Sequence, residues 1–202
     1  MHLEFLVEEE SAEAALRNLV PRIAGPEVTY EVHPFRGKAA LLRGLLPRLR
    51  AYKAWLPDDW RIVVLIDQDN SDCTDLKRNL EDKAREAGLV TKTAAGSSSR
   101  FQVLNRVAVE ELEAWFFGDL EAVAQAYPEI PRDLNRQAKY RHPDRIAGGT
   151  WEALERVLDH AGYYPGGKIA MAQAISVHMD PDRNASPSFR VFRDALRELV
   201  GA

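Results

Sequence analysis

Asp67 and Asp69 close an uninterrupted apolar run, Ile62-Val63-Val64-Leu65-Ile66. Five aliphatic residues without polar alternation predict a strand buried on both faces, as at the centre of a parallel α/β sheet. The two acids then fall just past its carboxyl end, where open α/β sheets bind their ligands. A chain that bends there can turn both carboxylates towards one hard divalent cation. The same residue types also suit an ordinary strand exit, with Ser71 capping the helix that follows.

Two further junctions carry acids. Residues 3–7 read as a first strand that ends on Glu8, ahead of a helix with Ser11 as N-cap and Glu13 in its first turn. The helix dipole accounts for Glu13 but not for Glu8, which sits at a strand tip as Asp67 does. Residues 101–109 are β-rich and run into Glu110, Glu111 and Glu113, while Leu112, Trp115 and Phe116 form the apolar stripe of a helix. If these strands are neighbours in one parallel sheet, the three junctions converge.

The intervening elements follow from periodicity. Residues 28–32 predict a short strand, and residues 39–55 a helix that Pro47 kinks or splits. Arg36, Lys38, Arg43, Arg48, Arg50 and Lys53 make this the most basic part of the first half, and a solvated helix face accounts for most of them. A helix over 72–87 closes at Gly88, residues 90–93 suggest a short strand, and 94–100 a flexible stretch. Leu120 to Tyr127 reads as a helix that Pro128 and Pro131 end. Arg132, Arg136, Lys139, Arg141 and Arg145, with Tyr140 and His142, form a basic loop suited to phosphate backbone or to surface ion pairs. Thr150 is the expected N-cap of a helix over 151–161. Gly162 to Lys168 is a turn without P-loop spacing, ahead of a helix to about 179, and 188–200 is a helix packed through Phe189, Phe192, Leu196 and Leu199.

With 202 residues, 46% hydrophobic and 29% charged, the chain can build one sizeable core. The expected division is an α/β domain over 1–125 and a helical extension over 126–202 on the same core. A net charge of −4 gives no global attraction to nucleic acid, so such binding would rest on local basic patches. Cys73 is the one cysteine, which excludes intrachain disulfides and cysteine-rich metal sites and suits a reducing cytoplasm. No apolar run approaches the roughly 18 residues of a membrane span, and the N-terminus lacks a basic region ahead of an apolar core. A soluble cytoplasmic protein without membrane association is expected.

A glutamate after the first strand and D-x-D after a central one resemble the TOPRIM domain of topoisomerases, primases and OLD-type nucleases. The segments V-E-E-E-S-A-E (7–13), H-P-F-R-G-K (33–38), V-V-L-I-D-Q-D-N-S-D-C (63–73), E-E-L-E-A-W-F-F-G-D (110–119), Y-R-H-P-D (140–144), G-G-T-W-E-A-L (148–154) and R-N-A-S-P-S-F (183–189) look like an uncharacterised bacterial TOPRIM-like family. Members of that domain of unknown function are often encoded beside a P-loop ATPase.

The resemblance implies a TOPRIM-like, Rossmann-like, mostly parallel sheet and Mg²⁺- or Mn²⁺-dependent cleavage of phosphodiesters, with DNA preferred over RNA. Several hard oxygen ligands are what such an ion requires. Glu8, Asp67 and Asp69 match the motif. Where OLD-type nucleases carry a second acid this chain has Ala12, with Glu13 one step later. Glu111 or Glu113 would complete the site, and Lys168 would supply the late lysine that steadies the transition state. Arg36, Lys38, Arg106 and Arg141 are the basic residues expected to hold substrate. Two other readings stay open: a phosphatase of haloacid-dehalogenase type, with Asp67 as nucleophile and Asp69 as acid/base, and a catalytically silent metal- or nucleotide-binding partner of an ATPase.

Overall fold

The computed structural model describes residues 1–96 and 101–201. Four parallel strands form the sheet: β1 (His2–Val7), β2 (Thr29–Pro34), β3 (Trp60–Asp67) and β4 (Val103–Ala108), in the order β2-β1-β3-β4. Helices α1 (Glu10–Ala24), α2 (Lys38–Trp55) and α3 (Cys73–Glu86) make the crossovers. The result is a Rossmann-like α/β fold. The chain leaves β1 for one edge, then crosses back over β1 to place β3 on its other side. The strand order therefore reverses between β1 and β3, and a crevice opens at their carboxyl ends.

Alternation along the strands sends side chains to two apolar layers. Val63 and Leu65 join Leu3, Phe5 and Val7 beneath α1, whereas Ile62, Val64 and Ile66 join Leu6 beneath α2 and α3. Both layers bury their side chains completely or nearly so, which is why β3 shows no polar alternation. Pro47 does not split α2, which runs unbroken from Lys38 to Trp55. Leu41, Leu45, Leu49 and Tyr52 bury one continuous stripe of it, and that packing outweighs the lost backbone hydrogen bond.

Several helix starts differ from expectation. Helix α1 begins two residues early, with Glu9 at the N-cap and Ser11 buried inside it. Asp72, and not Ser71, caps α3, its carboxylate accepting from the N–H groups of Thr74 and Asp75. In place of a strand over 90–93, Thr91 makes a single bridge to Val103 and caps a short helix, α4 (Lys92–Ala95). Of the stretch read as flexible, residues 97–100 lie outside the described residues.

Beyond β4 the chain is helical: α5 (Glu113–Phe117), α6 (Leu120–Ala126), three 3₁₀ turns over 134–145, α7 (Thr150–His160), α8 (Lys168–Ser176) and α9 (Pro187–Val200). These are continuous with the α/β layer, since Trp115, Phe116, Leu154, Met171, Phe189 and Phe192 share one apolar cluster with Leu3, Phe5 and Leu16. Trp115 anchors it, lying against Phe189 and Phe192 and donating its indole N–H to Ser188 Oγ at 3.1 Å. No helix of the described residues is long and apolar enough to cross a membrane.

Gly118 lets the turn between α5 and α6 approach the segment before α9. A Cβ there would lie 2.1 Å from Asn184 Oδ1 and 2.8 Å from the Ser186 backbone nitrogen. Asn184 is itself buried and donates to the Trp115 carbonyl at 2.7 Å. Gly118→Ala should therefore destabilise the fold by about 2–3 kcal/mol, read as a lower urea midpoint, because backbone and a tied side chain must both move. An unchanged midpoint would contradict this close approach.

Candidate active site

Four segments bring acids or cations to the crevice. Glu8 follows β1, Asp67 ends β3 with Asp69 just beyond, Glu110 to Glu113 follow β4, and Lys168 opens α8. The exits of β3 and β4 are tied together, Gln68 N–H donating to the Ala108 carbonyl and Asp69 N–H to that of Glu110, both at 2.8 Å. Asp69 and Glu110 have φ of 45° and 62°, the only positive values at non-glycine positions among the described residues. Left-handed backbone at such residues costs on the order of 1 kcal/mol or more and persists where surrounding contacts over-determine it. Here both strained residues flank the crevice and pair with each other.

Glu8 is buried and fixed by backbone, Oε1 accepting from Lys38 N–H at 2.9 Å and Oε2 from Asp67 N–H at 3.3 Å. Burial and the nearby Asp69 charge raise its pKa above the usual range, against the pull of Lys38. Asp67 is raised further still, by burial first and then by Glu113, Glu8 and Asp69. Glu113 is 1% exposed, and neither carboxylate oxygen has a hydrogen-bond partner among the described residues. Burial lifts its pKa to about 7 although Lys168 pulls the other way. The ammonium of Lys168 stands 3.7 Å from Glu111 Oε1 and 4.0 Å from Glu9 Oε2, and lies over the Trp151 ring. Burial disfavours its charge, but Glu113, Glu9, Glu111 and Asp67 outweigh burial and raise its pKa.

Other expected site residues are committed elsewhere. Asp69 is partly exposed and its Oδ2 pairs with the Lys38 ammonium at 2.7 Å. Lys38 also donates to the Gln68 carbonyl at 2.8 Å, so it braces the β3 exit instead of lying on a solvated helix face. Glu111 does not stand free either. Its Oε2 accepts from Thr150 Oγ1 at 3.0 Å and from Trp151 N–H at 2.8 Å, clamping the start of α7 to the β4 exit. Thr150 is correspondingly not the N-cap of α7; Gly149 holds that position. Glu13 is taken up by Arg17, one turn along α1, at 2.6 Å.

The basic residues divide. Arg36 is exposed and lines a cleft of about 440 Å³ beside Glu9, Gly37, Gly167 and Lys168, at the crevice mouth. Arg106 lies mid-strand on β4, where burial lowers its pKa while Glu81 and Glu198 act to raise it, so it does not face the crevice acids. Arg141 lines a separate hollow with Arg132 and Arg183.

Among the described residues no three His, Cys, Asp or Glu side chains are arranged to hold one ion as they stand. The donor set still fits a hard cation. Every candidate is a carboxylate oxygen, Glu113 is buried with both oxygens unpartnered, and it stands in the same field as Asp67. Asp67, Glu113 and Glu8 are the residues that would hold it, with Asp69 available if Lys38 releases it.

A family model described as a domain of unknown function, DUF4276, matches residues 7–197. The chain belongs to the DUF4276 family. The match takes in Glu8, Asp67, Asp69, Glu113 and Lys168 as well as the helical segments that close the crevice, so the site lies inside the family's shared region. No curated protein and no solved structure matches the chain. Trp151 and Thr150 are the crevice residues that sequence reasoning missed. Thr150 has the residue type of an N-cap, and only the fold shows its hydroxyl turned to Glu111.

Proposed function

We propose that this DUF4276 protein is a Mg²⁺- or Mn²⁺-dependent nuclease of TOPRIM type acting in the cytoplasm, an effector for a separately encoded P-loop ATPase in phage defence or DNA repair. One observation carries the reading: an unpartnered, buried Glu113 beside Asp67 at the sheet's switch point, with the Lys168 ammonium facing them. The order of acids along the chain, glutamate after β1 and D-x-D after β3, supports it by its resemblance to TOPRIM domains. The ATPase partner and the pathway rest on that resemblance alone.

A bound divalent ion would supply charge neutralisation on the phosphoryl oxygens and an acidified water at neutral pH. The chain's own groups do the rest. Asp67 and Glu113 offer oxygen ligands, Glu8 is held in place by two backbone N–H groups, and Lys168 is available to donate to a phosphoryl oxygen as charge builds on it. The phosphatase reading is weaker, because the Asp69 that would act as acid/base is tied to Lys38. That same tie, together with the unclosed ligand set, favours the silent metal-binding partner as the second reading.

Purified protein incubated with supercoiled plasmid, single-stranded DNA and RNA should cleave at least one of them in Mg²⁺ or Mn²⁺ and none in EDTA. No cleavage, with Mn²⁺ still raising the melting temperature, would give the silent module; no cleavage and no shift would remove the metal site as well.

A further inference from the structure

The fold sorts the basic stretch over 132–145 into two kinds of cation. Arg132 pairs with Glu121 at 2.7 Å and Arg136 with Asp133 at 3.2 Å, while Arg141 lies in the hollow it shares with Arg183. Lys139, His142 and Arg145 remain, and with Arg156 of α7 they line a hollow of about 200 Å³. None of these four side chains has an ion pair among the described residues, and no carboxylate lines that hollow. The α7 acids Glu152, Glu155 and Asp159 line neither it nor the hollow beside it. In a chain of net charge −4, such a gathering of unpaired cations favours a counter-charge from outside.

The backbone beneath these cations is fastened. Tyr140 is buried and stacks on Phe117 with ring centroids 5.3 Å apart, and the Lys139 ammonium lies over the Tyr140 ring. Asp144, next to Arg145, is buried and committed to the start of α9, its carboxylate accepting from Ser186 Oγ at 2.6 Å and from Ser188 N–H at 2.7 Å. The hollow therefore exists before any ligand arrives, which lowers the entropy cost of binding.

Lys139, Tyr140 and Arg156 also wall a second hollow, of about 350 Å³. Buried Ile130 and Leu134 and half-buried Val157 give it an apolar floor, and exposed Gln137, His160 and Glu129 give it a polar rim. An anion with several oxygens matches the guanidinium forks of the first hollow. A planar body with polar edges matches the floor and rim of the second, and the two volumes fall together in the range of about 300–1,000 Å³ of small-ligand sites. We propose that these adjoining hollows bind a nucleoside di- or triphosphate, with its phosphates between Lys139, Arg145 and Arg156 and its base against Leu134 and Val157. A free nucleotide and the triphosphorylated end of an RNA strand share that chemistry. No crevice acid lines either hollow, so the inference stands apart from the nuclease reading.

Fluorescence anisotropy of N-methylanthraniloyl-labelled ATP, in EDTA to keep the crevice free of metal, provides the test. Arg145→Ala and Arg156→Ala should each weaken binding about tenfold, and both side chains are exposed, so the variants should fold as wild type does. Arg132→Ala, which removes a cation already paired, should leave affinity unchanged. Unlabelled ATP should displace the probe at least tenfold better than inorganic tripolyphosphate. No saturable binding, or equal losses from Arg132→Ala and Arg156→Ala, overturns the site. Equal competition by tripolyphosphate overturns the nucleoside, and a loss confined to Lys168→Ala moves the anion to the crevice and overturns the inference. Competition by a 5′-triphosphorylated RNA assigns the site to a strand end, and its failure assigns it to a free nucleotide; either result upholds the site.

Discussion

Replacing Asp67 with alanine is expected to lower metal-dependent cleavage by on the order of 10³-fold, the size of loss seen when one preorganised electrostatic group is removed from an active site. Asp67 ends the central strand at the point where the sheet order reverses, and its pKa lies above the usual range partly because Glu113, Glu8 and Asp69 crowd it. The same crowding makes its removal harmless to the fold. With one like charge gone, the metal-free variant should melt no lower than wild type, and the Mn²⁺-induced rise in melting temperature should vanish. Cleavage within tenfold of wild type would dismiss Asp67 as a ligand. A variant that melts far below wild type in EDTA would mean that Asp67 has a structural role that the acid cluster does not explain.

Glu113→Gln should make the metal-free protein more stable at alkaline pH and less responsive to pH. A carboxyl raised from 4.5 to about 7 by burial binds its proton more tightly folded than unfolded. Its folded form is therefore favoured at low pH, and stability is lost as pH rises from near the unfolded value through the folded one. At about 1.4 kcal/mol per unit the ionised side chain costs roughly 3 kcal/mol above neutral pH. For a chain of this length that corresponds to roughly 5–10 °C in melting temperature. Melts in EDTA between about pH 5 and about pH 8 should show wild type falling relative to the glutamine variant across that window. Metal should restore the wild type alone, because the amide cannot replace an anionic ligand. Parallel curves for the two proteins would mean that Glu113 is not ionising in a buried site.

Much of the frame was legible in the residues. The unbroken Ile62–Ile66 run predicts a strand buried on both faces, and β3 has helices over each. The acids at strand exits were legible for the same reason, since a parallel sheet brings the carboxyl ends of its strands to one edge. Local propensity was less reliable at boundaries. Thr150 and Ser11 have the type of N-caps, but the caps lie elsewhere because tertiary hydrogen bonds and burial claim those side chains.

Which charges share the crevice was decided by tertiary structure. Glu111 lies just before α5 and Glu113 opens it, yet Glu113 is buried without a partner among the described residues and Glu111 clamps α7. Lys38 reads as part of a basic helix face, and the β2–α2 turn delivers its ammonium to Asp69. Even Glu4, between apolar neighbours on β1, is satisfied by Tyr52 from α2 and His33 from β2 as well as by His2 on its own strand. The sequence by itself determined the strands, their burial and the acids at their tips, because periodicity and residue type are local properties. The strand order, the pairing of those acids with cations and the isolation of Glu113 came from the tertiary structure, because long-range packing decides which side chains meet.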